Sequence, residues 1–102
     1  MNYRGSLRLL ILNVLARGPN HGYQIVQQIK QRSEGVLDFK EGTLYPTLHG
    51  LESQGYLESV EVEENGRIRR DYRLTGSGHR LLAAERKAWR RFVQAVERNL
   101  EI

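Results

Sequence analysis

From Leu7 to Leu15 the chain is apolar at almost every position: Leu7, Leu9, Leu10, Ile11, Leu12, Val14 and Leu15. Ser6 stands where a helix N-cap belongs and Gly18-Pro19 stops the run, so a first helix is predicted to about Arg17. A helix with almost no polar face must be covered on several sides. In a chain this short, a partner chain is the natural second cover. A second helix is predicted from Asn20 or His21, with Gly22, Ile25, Val26 and Ile29 inward and Gln24, Gln27, Gln28 and Gln31 largely outward. It fades at Ser33-Glu34-Gly35, and Val36 to Phe39 reads as a short linker or a single strand pairing.

The stretch EGTLYPTLHGLESQGYL, Glu41 to Leu57, predicts a third helix from about Thr43 to Gln54, ended by Gly55. Leu44, Leu48 and Leu51 form its apolar edge. The opposite side carries Thr43, Pro46, His49, Gly50 and Ser53, with Tyr45 at the border. That side is too polar for a core and too weakly charged for an ordinary solvated surface.

Leu57 to Glu63 and Arg67 to Leu74 alternate with period two around Asn65-Gly66, the strongest short-range hairpin signal. With those two residues as the turn, Glu64 faces Arg67, Glu61 faces Arg70 and Glu58 faces Arg73. Opposite charges across a strand pair support that register. Thr75 caps a last helix running to about Leu100, with an apolar stripe that includes Leu81, Leu82, Trp89, Phe92, Val93, Val96 and Leu100. Some 25 residues make a helix about 37 Å long at 1.5 Å per residue. That exceeds the core three short helices can build, so its far end is expected to pack on something outside the monomer.

Composition narrows the class. The chain has 102 residues, 39% of them hydrophobic and 27% charged, which fits one globular domain. It has no cysteine, hence no disulfide framework and no thiolate metal site. Its longest apolar run is far too short to span a bilayer and its start has no signal-peptide pattern, so a cytoplasmic protein with no membrane partner is expected. His21, His49 and His79 are isolated, and neither a catalytic arrangement nor a nucleotide loop is evident. No enzyme, metal or cofactor is therefore expected.

The net charge is +4, and its placement matters more than its sum. Arg4, Arg8, Arg17, Lys30 and Arg32 face no acidic residue before position 33, whereas Glu34, Asp38, Glu41 and Glu52 outnumber Lys40 in the next segment. The last helix is basic again. A nucleic-acid partner is compatible with this pattern.

Three helices followed by a hairpin is the order of a winged helix-turn-helix, so the fold class is mainly α with a small β-hairpin (α+β) and a long C-terminal helix. In that fold the third helix enters the DNA major groove and the hairpin flanks it. Such a helix needs an apolar edge to hold it and a low polar edge to approach base pairs. Thr43, Thr47, His49 and Ser53 are candidates for base edges or phosphates. Pro46 lacks an N–H that the first turn would leave unpaired anyway, and free N–H groups around it favour a phosphate. The bland alternative is a capped structural helix with a wet face.

GPNHGY (Gly18 to Tyr23), EGTLYPTLHGLESQGYL, NGRIRRDYRLTGSG (Asn65 to Gly78) and the late Trp89 together resemble the PadR family of bacterial transcriptional regulators, in order and over nearly the whole chain. The length resembles the short subfamily with one C-terminal helix. The resemblance implies a homodimer on double-stranded DNA, usually a repressor of a nearby operon, with the first and last helices forming the dimer. It implies a DNA-binding domain over 1–75 and a dimerisation helix over 76–102. Gly42 to Pro46 match the start of the family's recognition helix, with Tyr45 at its DNA-contacting tyrosine. Tyr23 matches a tyrosine that touches flanking phosphates, and Asn65, Gly66, Arg67 and Arg69 form the wing tip. The dimer seam is expected at Leu7, Leu10, Ile11, Leu82, Trp89, Phe92, Val93, Val96 and Leu100. In some relatives a tryptophan at the corresponding place stacks on flat aromatic ligands, which makes Trp89 and Phe92 candidate effector contacts. Plain packing is the other reading of that pair.

Two departures from the family stand out. Gly50 occupies a place where arginine or lysine is frequent. The wing from Glu58 to Arg73 carries four arginines against five acidic residues, for a net −1. Those features leave open a winged-helix module that binds protein and not DNA, and equally a solvated, salt-bridged hairpin.

Overall fold

The computed structural model describes residues 3–102, so the first two residues of the expected DNA-binding domain lie outside the described residues. A 3-10 turn over Tyr3–Ser6 leads into α1 (Leu7–Leu15), β1 (Asn20–His21), α2 (Gly22–Arg32), α3 (Glu41–Ser53), β2 (Leu57–Glu64), β3 (Arg67–Leu74) and α4 (Gly76–Leu100). The expected order of helices and hairpin is present, with one short strand added.

The α1 helix sits at the centre and touches α2, α3, α4 and β3. Leu7, Ile11, Leu12, Val14 and Leu15 are all buried, and join Ile25, Val26 and Ile29 of α2 with Leu44, Leu48 and Leu51 of α3 in one core. Each such side chain stabilises the fold by roughly 1.5–3 kcal/mol relative to leaving it exposed. The α2 helix starts at His21, whose Nδ1 accepts the Gln24 N–H at 3.4 Å. It ends in a Schellman turn: the Glu34 N–H donates to the Gln31 carbonyl and the Gly35 N–H to the Lys30 carbonyl.

The sheet runs β1-β3-β2, all antiparallel. Its third strand is Asn20–His21, paired with Tyr72 and Asp71, and not the Val36–Phe39 linker. That linker is committed elsewhere. Phe39 is buried in the core, the Leu37 N–H donates to Ser33 Oγ at 2.9 Å, and Asp38 pairs with Lys40 at 3.3 Å and Lys30 at 3.7 Å.

The hairpin has the expected register, with Glu58 opposite Arg73, Glu61 opposite Arg70 and Glu64 opposite Arg67. Asn65 and Gly66 both hold positive φ, 53° and 77°, as a two-residue type I′ turn requires. Of the three opposed couples only Glu58–Arg73 closes into an ion pair among the described residues, at 2.6 Å.

Two contacts lock the end of α3 to the start of α4. The Thr75 hydroxyl accepts the Gly78 N–H at 3.1 Å, capping α4, and donates to the Gly55 carbonyl at 2.6 Å. Gly78 lies so close to the Tyr56 carbonyl that a Cβ there would run into it. Beyond Leu82 no described residue of α4 is buried. The helix projects from the core, giving extents of 55 × 29 × 21 Å and a radius of gyration of 14.9 Å. A compact chain of this length would have about 13 Å. No described helix is long and apolar enough to cross a membrane.

Candidate nucleic-acid interface

The α3 helix is held by one edge. Leu44, Leu48 and Leu51 are buried, and the edge directly opposite presents Gly42, Pro46, His49, Gly50 and Ser53, all exposed. That outward edge bears no formal charge and no side chain larger than an imidazole. Thr43 and Thr47 flank it on one side and Tyr45 on the other, all half-buried. A smooth, polar, convex ridge of this kind fits a groove.

The hydroxyls on this ridge are partly engaged. Thr47 Oγ1 donates to the Thr43 carbonyl at 3.0 Å and Ser53 Oγ to the Gly50 carbonyl at 3.1 Å. Both oxygens keep lone pairs for an incoming donor such as an exocyclic amine. His49 makes no such bond among the described residues, and the Tyr45 ring lies 6.5 Å away.

The helix starts earlier than expected, at Glu41 in place of Thr43, which changes the reading of Pro46. Pro46 lies in the second turn, so its missing N–H leaves the Gly42 carbonyl without its usual intrahelical donor. The free N–H groups belong to the turn before it, beside Glu41, whose carboxylate competes with a phosphate there.

Tyr45 reaches back against α2, and a Cβ on Gly22 would come within 2.9 Å of its hydroxyl. Gly22 therefore gives the phenol its seat. Tyr23, on the same first turn of α2, is 56% exposed beside His21, the two rings nearly parallel at 6.5 Å.

Beside α3 stands the wing. Glu64, Asn65, Arg67 and Arg69 line a shallow concavity at its tip. Arg69 is not free in it. Its Nε donates to Asp71 at 3.0 Å and its Nη1 pairs with Glu64. The hydrogen bond that Arg69 donates to Asp71 and the two carboxylate charges hold the Arg69 proton more firmly than usual. On the other face of the hairpin Tyr72 is buried, which pushes its phenol above the ordinary range, while the adjoining Arg70 guanidinium pulls it partly back. Glu52 of α3 accepts the Ser59 hydroxyl at 2.5 Å, tying helix to wing. From the sequence Arg70 reads only as the cross-strand partner of Glu61, and Asp71 is not singled out. The alternation of strand side chains is the signal that separates Arg69 from Arg70.

Far from this ridge, Trp89, Phe92, Val93 and Val96 line an open apolar groove of about 340 Å³ on α4. Trp89 and Phe92 touch at 5.9 Å between ring centres. Phe92, Val96 and Leu100 are exposed, Leu10 and Val93 half-buried. Leu7, Ile11 and Leu82 are already covered within the single chain and leave almost no surface exposed.

Comparison with known proteins agrees on one class. Residues 11–84 match the family described as "Transcriptional regulator PadR-like family". The Mycobacterium tuberculosis protein "Transcriptional regulator Rv3488" is 38% identical over 93 residues, 91% of this chain and 84% of its own. A PadR family transcriptional regulator from Eggerthella lenta superposes with a TM-score of 0.85 at 34% identity, over 96% of this chain and 84% of that one. Bacillus subtilis PadR, solved in complex with operator DNA, superposes with a TM-score of 0.70 at 26% identity, over 76% of this chain and 45% of that one.

Proposed function

The chain belongs to the PadR-like family of transcriptional regulators, and on that premise we propose that it is a cytoplasmic repressor, binding a palindromic operator as a homodimer. The observation that carries the reading is the outward edge of α3: exposed, uncharged and low, with a wing beside it. The operator complex of the Bacillus subtilis relative supports DNA as the partner. Two α3 helices then enter major grooves about one turn, ~34 Å, apart. Thr43, Thr47, His49 and Ser53 read bases. Tyr23, Tyr45, the Pro46 turn and the wing tip, Asn65 and Gly66 with Arg67, position the duplex.

Residues 76–102 serve as the dimerisation helix of this reading, and residues 1–75 as the DNA-binding unit. The apolar strip of α4, with Leu10 of α1, is what a second copy covers. A flat aromatic effector seated between Trp89 and Phe92 would act on that same seam.

The test is selection from a random duplex pool by the purified protein at physiological salt, followed by sequencing. The expected result is an enriched palindrome with half-sites one turn apart. A folded, dimeric protein that enriches nothing would overturn the reading. It would favour the protein-binding module, for which the net-negative wing speaks.

A further inference from the structure

Adjacent residues of a strand point to opposite faces of a sheet. Arg69 therefore lies on the face of the hairpin that carries Arg67, Asp71 and Arg73, and Arg70 on the face that carries Tyr72 and Leu74. The second face is the one toward α3, because Tyr72 is buried there and Ser59, its cross-strand partner, bonds Glu52 of α3.

The two guanidinium groups differ in what already holds them. Arg69 is gripped from two sides, by Glu64 across the turn and by Asp71 two residues along its own strand. The Asp71 side chain is only 13% exposed, so that carboxylate has little access to another cation. Bringing Arg69 to a phosphate would strand an acid that solvent barely reaches, beside the most highly charged polymer in the cell. Arg70 is exposed and takes part in none of the ion pairs among the described residues. Strand alternation sets it beside Tyr72, whose phenol its charge pulls down. Glu61 stands opposite it on the ladder without closing a pair, and Glu52 is engaged by Ser59. Arg70 thus stands on the face of the wing that looks toward α3.

We propose that Arg70, and not Arg69, joins Arg67 as the wing's phosphate-contacting residue, while Glu64 and Asp71 form an acidic clamp that withholds Arg69 from DNA. The inference rests on the DNA-binding reading above and assigns the working cation within it. The clamp also gives the net-negative wing a use, since it limits attraction to DNA of any sequence.

The experiment is a titration of a non-specific duplex at several salt concentrations with the full chain and its variants. Arg70→Gln is expected to lower the slope of log affinity against log salt by about one and to weaken binding about tenfold at 0.1 M salt, the counterion release of one phosphate. Arg70→Lys should restore the slope, and Arg69→Gln should leave it unchanged. Neutralising the clamp with Glu64→Gln and Asp71→Asn should raise the slope by about one, a gain that Arg69→Gln then abolishes. A slope lowered by Arg69→Gln, or unchanged in folded Arg70→Gln, overturns the proposal and leaves the DNA reading intact. If Arg70→Gln fails to fold, the clamp variant decides, and no gain in slope there overturns it too. A wild-type protein with no salt-dependent affinity at all removes the DNA reading, and this inference with it.

Discussion

Gly50 is the residue whose presence most needs a reason. It lies inside α3, where glycine is about 1 kcal/mol less favourable than alanine, and a Cβ built on it meets nothing within 4 Å. Packing within the chain therefore does not require it. What remains is the outward edge itself, where Gly50 lies between His49 and Ser53 and keeps the backbone open to close approach. Gly50→Ala is accordingly expected to stabilise the protein by about 1 kcal/mol, read as a shift in urea midpoint. It should also weaken binding of the selected operator at least tenfold. A variant that is more stable and binds unchanged would show that DNA does not come near this backbone. Pro46 belongs to the same edge for a related reason: a ring without N–H leaves a smooth surface and a spare carbonyl at Gly42.

At the scale of elements, Thr75 does two tasks with one hydroxyl, capping α4 and binding the Gly55 carbonyl that follows α3. Thr75→Ala should cost about 1–2 kcal/mol of stability, the range for losing a buttressed N-cap, with an unchanged denaturant slope because no extra surface is exposed. A loss within a few tenths would mean that water replaces both bonds. This cap, the Asn65-Gly66 turn and the hairpin register were legible in the sequence, because each depends on residues close along the chain or on charges that must face one another. The start of α3 was not. Lys40 sits at its N-cap in extended conformation without a side-chain cap bond, and Gly42 offers weak helix propensity, so little local marks the boundary. The strand at Asn20–His21 was hidden for another reason. Two residues have no periodicity to read, and only the docking of β3 beside them makes a ladder. The outward edge of α3 followed from helical spacing alone. The engagement of Arg69 did not, since several acids lie within reach and side-chain geometry selects Glu64 and Asp71.

The whole molecule is a core with a projecting rod. An apolar strip that runs past the core along Phe92, Val96 and Leu100 is left to water in the single chain, an arrangement that costs free energy until something covers it. With the seam proposed above, Phe92→Glu combined with Val96→Glu should give a monomer by analytical ultracentrifugation at micromolar concentration. Neither side chain belongs to the buried core, so the circular dichroism spectrum should stay that of the folded chain. A persistent dimer would move the seam elsewhere on the surface. Tryptophan fluorescence offers a parallel reading, because Trp89 is the one tryptophan in the sequence.

The missing Cβ at Gly78 has a mechanical meaning. The joint between α3 and α4 is formed where that glycine rests on the Tyr56 carbonyl, and α4 leaves it as a stiff arm. An arm multiplies angular error by its length. A tilt of five degrees at the joint displaces the helix near Leu100 by about 3 Å, given roughly 33 Å of helix between them at 1.5 Å per residue. That is the size of a hydrogen bond, or of a step between neighbouring base pairs. The fit of this joint thus depends on a single absent carbon, and any tilt that an alanine there introduced would be largest at the far end of the rod.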